Sequence, residues 1–372
     1  MIPIYKPYIE KYKKSAIEAI NSTWISNFGK FINYSTELIK KKFGVSYCIL
    51  MNNGTSATHC LFLALKYKYP SIKKIYVPNN VFIAAINTSL MVYNIEDLEV
   101  MKLNEKTLNI DTSEEYIKSL DKNACVLIVH NLGNIVNVER LKRIRNDLIF
   151  IEDNCEGIFG KYENIYSGTS KGTLCSSLSF YANKTITTGE GGAFLTNDYE
   201  IYKFINSTHS HGMTEEKYIH DKIAYNYRMT NIQAAILYEQ LIDLDNILEM
   251  KHKIFLNYDT LLSELFKSNK IQKLDIEDNT ESSRWMYCIL INNLEYKKIE
   301  KYMKNNLIEI RPFFYDLRKH EHLKEINIKY TESKNYEKGI MLPSYPQLNL
   351  KDQKKIYNCL KEYINIYINE KA

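Results

Sequence analysis

The chain has 372 residues, 49 basic against 44 acidic side chains for a formal net charge of +5, and a hydrophobic content of 45%. That length outgrows one ordinary core and implies two domains, while scattered lysines, with runs no longer than the "KKK" at 40–42, argue against a basic groove for nucleic acid. Seven widely spaced cysteines without a CxxC pair argue against a disulfide framework or a structural zinc site, so no metal is expected.

The opening "MIPIYKPYIEKYKK" has no apolar core behind its charges, so no signal peptide is expected, and no apolar run nears the ~20 residues that span a bilayer. With the cysteine usage, this predicts a cytoplasmic protein in a reducing compartment. Short apolar runs at 47–51, 74–78, 125–133, 148–153, 177–181 and 192–198 read as buried strands. Helical patterns at 56–67, 82–93 and 138–147 lie between them, which predicts an α/β domain with a mainly parallel sheet. Ala234, Leu237, Tyr238, Leu241, Leu244 and Leu248 share one stripe and predict a single long helix. Beyond it, 285–291 and 308–314 read as strands, with a helix over 296–306 and a last one over 350–368. The expected division is a large domain over 1–245, whose first residues pack on the small one, and a smaller α+β domain over 246–372.

Ligands of open α/β sheets bind at the carboxyl ends of strands, where helix N-termini also lie. Three polar clusters fall at such ends. In "MNNGTSATH" (51–59), backbone N–H groups with the Thr55 and Ser56 hydroxyls suit a phosphate; an ordinary N-cap is the alternative, and neither a Walker loop nor a G-x-G-x-x-G pattern is present. In "IFIEDNCEGIFG" (149–160), a carboxylate ending a buried strand needs a cation or donors. Asp153 suits a protonated ring nitrogen and Glu156 lies a turn further on; a magnesium site or an N-cap is the rival. In "SFYANKTITTGEGG" (179–192), Lys184 follows a strand end, where a desolvated amine becomes a nucleophile, and Ser179 points a hydroxyl the same way. The glycines after Lys184 read as room for a planar ligand. A lone lysine is ordinarily a surface residue, but a phosphate cradle, a carboxylate for a pyridinium nitrogen and a reactive lysine together describe a pyridoxal phosphate site.

These stretches, with "STWISNFGKF" (22–31), "VPNNVFIAAIN" (77–87), "HNLGNIVNVERL" (130–141), "HGMTEEKYIHDKIAYNYRMTNIQAA" (211–235), "RPFFYDL" (311–317) and "GIMLPSYPQL" (339–348), make nearly the whole chain resemble the nucleotide-sugar aminotransferases, a fold-type I pyridoxal-phosphate family. The resemblance implies that Lys184 anchors the cofactor and that Asp153 partners its ring nitrogen. It further places Glu156 near the ring hydroxyl, Phe82 on the ring face, and Thr55, Ser56 and Ser179 on the phosphate. Asn226 corresponds to an asparagine that reaches the neighbouring subunit's phosphate, implying a homodimer with shared active sites. Trp24, Ser26, Tyr218, His220, Arg228 and Arg311 are the candidates for a sugar-nucleotide groove, although Arg311 equally suits a structural ion pair and the two histidines of 211–220 structural roles.

Cys155 and Ala224 stand where the family usually has alanine and glycine. A related branch carries histidine in place of the lysine and dehydrates its substrate, so Lys184 implies transamination. The implied reaction moves an amino group from L-glutamate to carbon 4 of a dTDP- or GDP-linked 4-keto-6-deoxyhexose, for surface glycans such as O-antigen. A 3-keto or acetamido sugar, or a sugar dehydratase, is the alternative.

Overall fold

The computed structural model describes residues 1–330 and 335–367, so the end of the 350–368 pattern lies outside the described residues. Eight strands form the main sheet in the spatial order Tyr47–Met51, Gly192–Thr196, Thr173–Ser179, Ile149–Asp153, Cys125–Val129, Ile75–Val77, Leu98–Val100 and Asn327–Ile328. Seven of these point the same way, and only Gly192–Thr196 runs against its neighbours. The mainly parallel α/β sheet is therefore as expected. Both faces are covered, which explains the continuous apolar runs. In Cys125–Val129, residues 125, 127 and 129 pack with the helix Gly54–Lys68, while Val126 and Ile128 pack with Val138 and Leu141 on the other face.

Three expectations change. The strands Leu98–Val100 and Asn327–Ile328 have no distinct sequence signal, and the latter brings residues from far along the chain to cover the sheet edge. The long helix is two, Asn231–Ile242 and Leu244–Leu261, broken at Asp243 (φ −94°, ψ 15°). Its carboxylate there accepts from Tyr12 Oη at 2.6 Å and pairs with Lys11 Nζ at 2.7 Å, so the break docks the N-terminal segment. Of the 308–314 stretch only Arg311–Pro312 pairs as strand.

A second, antiparallel sheet orders Ile271–Lys273, Tyr287–Ile291, Gly339–Leu342 and Arg311–Pro312. Its core includes Ile254, Tyr258, Ile289, Ile340 and Ile356, and Ile2 joins it by pairing with Leu307 and Glu309. Among the described residues no helix is long and apolar enough to cross a membrane.

Candidate active site

A cavity of about 760 Å³ opens at the carboxyl ends of the parallel strands, between the main sheet and the Arg311–Tyr315 stretch. Asp153 ends its strand opposite Val129 and is 7% exposed. Its Oδ1 accepts from Cys155 N at 3.0 Å, and Oδ2 lies 3.5 Å from the Thr58 hydroxyl, which is itself 3.0 Å from Ser177 Oγ. Alternation sends the preceding Glu152 to the opposite face. There it meets His130 Nε2 and Gly168 N, each at 2.8 Å, Tyr162 Oη at 3.3 Å and the Thr173 hydroxyl. Only one of the two adjacent carboxylates thus serves the cavity.

Lys184 sits on a loop closed at its base. Phe180 N donates to Gly191 O at 2.8 Å, Thr188 N to Phe180 O at 2.9 Å, and Gln240 bonds both backbone groups of Thr187. The ammonium lies 4.1 Å from the centroid of the Trp285 ring. Around it, the sequence candidates Thr55, Phe82, Asp153, Glu156, Ser179 and Arg311 all line the same cavity. Ser179 faces the start of Gly54–Lys68: a Cβ on Gly54 would stand 2.7 Å from Ser179 Cβ and 3.2 Å from Cys155 Sγ. Asn53 caps that helix by accepting from Ser56 N at 2.8 Å. Ser56 is buried and is absent from the cavity wall.

The glycines after Lys184 have other work than making room for a ligand. Gly189 forms a turn at φ +81°, and a Cβ on Gly192 would lie 2.5 Å from Asn53 O, so glycine there lets a strand press against the helix start. Neither borders the cavity.

Glu156 accepts from Leu132 N at 2.8 Å. Burial raises its pKa from the ordinary 4.5 to about 7, against the pull of Lys184 and the Leu132 N–H and with Asp153 adding to the rise. Burial likewise drives the Cys155 thiol well up, keeping it neutral. Through the window from 4.5 to about 7 the native protein holds a proton on Glu156 that the unfolded chain has released, so stability falls as pH rises. Glu156→Gln should flatten that slope in the melting temperature of the cofactor-free protein; an unchanged slope would contradict the burial of this carboxyl.

The other candidates, Arg311 at the wall apart, lie outside the cavity. Trp24 is 61% exposed and lines a separate cleft of about 490 Å³ with Phe28 and Asn231. Ser26 O accepts from Asn231 N at 2.6 Å. Arg228 bonds Asn226 Oδ1, Ser210 Oγ and His211 Nε2, and exposed His220 holds His211 O at 2.9 Å through Nδ1. Tyr218 is exposed at φ 68°. Arg311 stacks on Tyr5 at 5.2 Å and faces Glu309 at 3.7 Å. Among the wall residues that the sequence reading did not single out are Trp285, which has no motif of its own beyond being one of only two tryptophans, and Asn183, the neighbour of Lys184. The buried Asn183 Oδ1 has no hydrogen-bond partner.

The donor set fits pyridoxal phosphate. A helix start with a hydroxyl from each side suits the phosphate, a carboxylate whose Oδ2 has only the Thr58 hydroxyl at 3.5 Å suits the ring nitrogen, and a lysine lines the same cavity. No cluster of three potential metal ligands occurs among the described residues.

Residues 8–361 match the model of the DegT/DnrJ/EryC1/StrS aminotransferase family. The chain is 32% identical over 376 residues to GDP-perosamine synthase of Escherichia coli O157:H7, covering 100% of this chain and 99% of the relative. It is 27% identical over 326 residues to GDP-4-keto-6-deoxy-D-mannose 3-dehydratase of Escherichia coli O55:H7, covering 80% and 81%. Among solved structures, Helicobacter pylori PseC, an aminotransferase involved in the biosynthesis of pseudoaminic acid, superposes with a TM-score of 0.86 at 23% identity, over 98% of this chain and 99% of that one.

Proposed function

Because this chain belongs to the DegT/DnrJ/EryC1/StrS aminotransferase family, we propose that it is a pyridoxal-phosphate enzyme transferring an amino group from L-glutamate to carbon 4 of a nucleotide-linked 4-keto-6-deoxyhexose. The observation that carries this reading is the meeting of Lys184, Asp153 and the Gly54 helix start in one cavity. GDP is the nucleotide of the 32% identical relative's product and is the first choice over dTDP. We take the enzyme to be a cytoplasmic homodimer serving surface glycan synthesis, with Asn226 reaching the partner's site. In the division at 1–245 and 246–372, the site lies between the two domains.

Pyridoxal phosphate supplies, when bound, an electron sink for the charge left on a carbon that loses a proton. Asp153 would hold the proton on the ring nitrogen, which would keep that sink effective. Lys184 would anchor the cofactor, and its amine, when free, would serve as the acid–base group for the donor's α-carbon. The Gly54 helix start, Thr55 and Ser179 would hold the phosphate, with Ser56 buried behind the wall in the same helix start; Phe82 would cover the ring face and Glu156 would stand by the ring hydroxyl. Trp24, Ser26, Tyr218, His220, Arg228 and Arg311 are assigned to the sugar nucleotide, with Arg311, at the cavity wall, suited to a phosphate or the donor carboxylate.

The dehydratase reading has the 27% identical relative in its favour; the lysine at 184 favours transfer. Offering glutamate with GDP-, dTDP- and UDP-linked 4-keto sugars and with a 3-keto sugar, and following products by mass, tests both. An amino product formed only in the presence of glutamate is expected, with the GDP-linked substrate preferred. Loss of water from the sugar without amine gain would overturn the proposal.

A further inference from the structure

On the backbone carbonyl of Trp285, whose ring faces Lys184, sits a second lysine with no place in the chemistry above. Lys251, on the helix Leu244–Leu261, is 4% exposed, yet its ammonium meets no carboxylate among the described residues. Instead it donates to Trp285 O at 2.8 Å and to Ser344 O at 2.6 Å, with the Phe255 ring at 5.7 Å. The residues around the small space shared by Lys251 and Lys184 bring in only Tyr5, Lys6, Tyr8 and Tyr345 as further titratable groups. Burial pulls the Lys251 pKa down to about 7, with the nearby Cys288 thiol pulling the other way.

Burying an ammonium on two carbonyls alone is expensive, and an apolar side chain of the same length would fill the space at lower cost. What the ammonium adds is direction. It ties the backbone of Trp285 to that of Ser344, and Ser344 Oγ accepts from Tyr287 N at 3.2 Å, closing the knot on the strand that follows. The other side of Trp285 is equally fixed. Its Nε1 donates to Asn183 O at 3.1 Å, next to Lys184, and the adjoining Ser283 Oγ donates to Glu156 O at 2.6 Å. Trp285 is therefore held by two lysines, Lys251 on its backbone carbonyl and Lys184 lying 4.1 Å from its ring centroid.

We propose that Lys251 is a positioning residue, which fixes the Trp285 indole as the seat for the free ammonium of Lys184. An indole face attracts a cation and is the strongest of the aromatic faces in doing so. It gives the released amine a defined resting place within the cavity instead of a spread of rotamers. This rests on Lys184 being the lysine that moves the proton.

The test compares Lys251→Met and Lys251→Arg in two backgrounds, native and Trp285→Phe. In Lys251→Met, kcat should drop by about tenfold, since a misplaced reacting group slows the chemical step, with KM for glutamate little changed. Lys251→Arg, which keeps the charge and the donors, should recover most of it. In the Trp285→Phe background, which keeps the carbonyl but has the weaker ring, the Lys251→Met cost should shrink below about twofold. An equal cost in both backgrounds means that Lys251 acts on the fold at large and overturns the proposal.

A second readout needs neither cofactor nor turnover. In cofactor-free Trp24→Phe protein, Trp285 is the only tryptophan, so acrylamide quenching reports its packing alone. Quenching should rise in Lys251→Met and stay low in Lys251→Arg; unchanged quenching in Lys251→Met overturns the proposal. If Lys251→Met does not fold, Trp285→Phe alone must lower kcat without weakening cofactor binding, and a normal kcat overturns the seat. Should the parent protein transfer no amino group to any sugar offered, the reading of function fails, while the quenching still decides the Lys251–Trp285 contact.

Discussion

Lys184→Ala should abolish amino transfer, by about 10⁴-fold or more, because the substitution removes both an anchor and a general acid–base catalyst. Among the described residues it is the one lysine on the cavity wall. Its loop leaves no neighbour free to replace it: the Phe180–Gly191 and Thr187–Gln240 bonds fix the base, and the ammonium alone extends over Trp285. The protein should fold normally, since the side chain supports no bond of the loop's base. Glutamate-dependent product formation followed by mass, with small primary amines added back, checks the role. Partial rescue by an amine would identify the missing group as the base itself; turnover near the parent's would remove Lys184 from the mechanism.

Asp153→Asn should keep the cofactor and lose the turnover, by about a hundredfold or more. The amide is the same size, and its oxygen can still accept from Cys155 N, which holds the carboxylate now at 3.0 Å. What it lacks is the negative charge that keeps a ring nitrogen protonated. The substitution leaves the Gly54 helix start and Ser179, the proposed phosphate end, untouched, so affinity should change far less than rate. Spectrophotometric titration with pyridoxal phosphate, beside single-turnover rates, separates the two; equal loss of both would make Asp153 a binding residue only.

The parts of this site legible in the sequence are those whose chemistry is local to a strand end. Thr55, Asp153 and Lys184 each follow an apolar run, and parallel topology brings such ends to one edge of the sheet. Trp285 was not legible, because a contact 102 residues distant puts it beside Asn183. The glycines misled for a different reason: composition shows that a side chain is missing, not which neighbour needs its absence, and at Gly192 that neighbour is Asn53 O. The break at Asp243 was hidden because the apolar stripe runs through it unchanged; an ion pair with Lys11, 232 positions away, marks the bend. Glu152 and Asp153 are neighbours in sequence, and only the two-residue period of a strand separates a structural carboxylate from one that faces the cavity.

The edge strand Asn327–Ile328 has a consequence for how the molecule comes to exist. Leu98–Val100 is made early but gains its outer neighbour only when residues near 328 have been synthesised, and Ile2 waits for Leu307 and Glu309 before it pairs. Both closures span most of the chain, so they are slow by loop entropy and late by order of synthesis. A nascent chain thus carries an open sheet edge until the residues near 328 have emerged, which makes this an interval in which it is exposed to pairing with another copy.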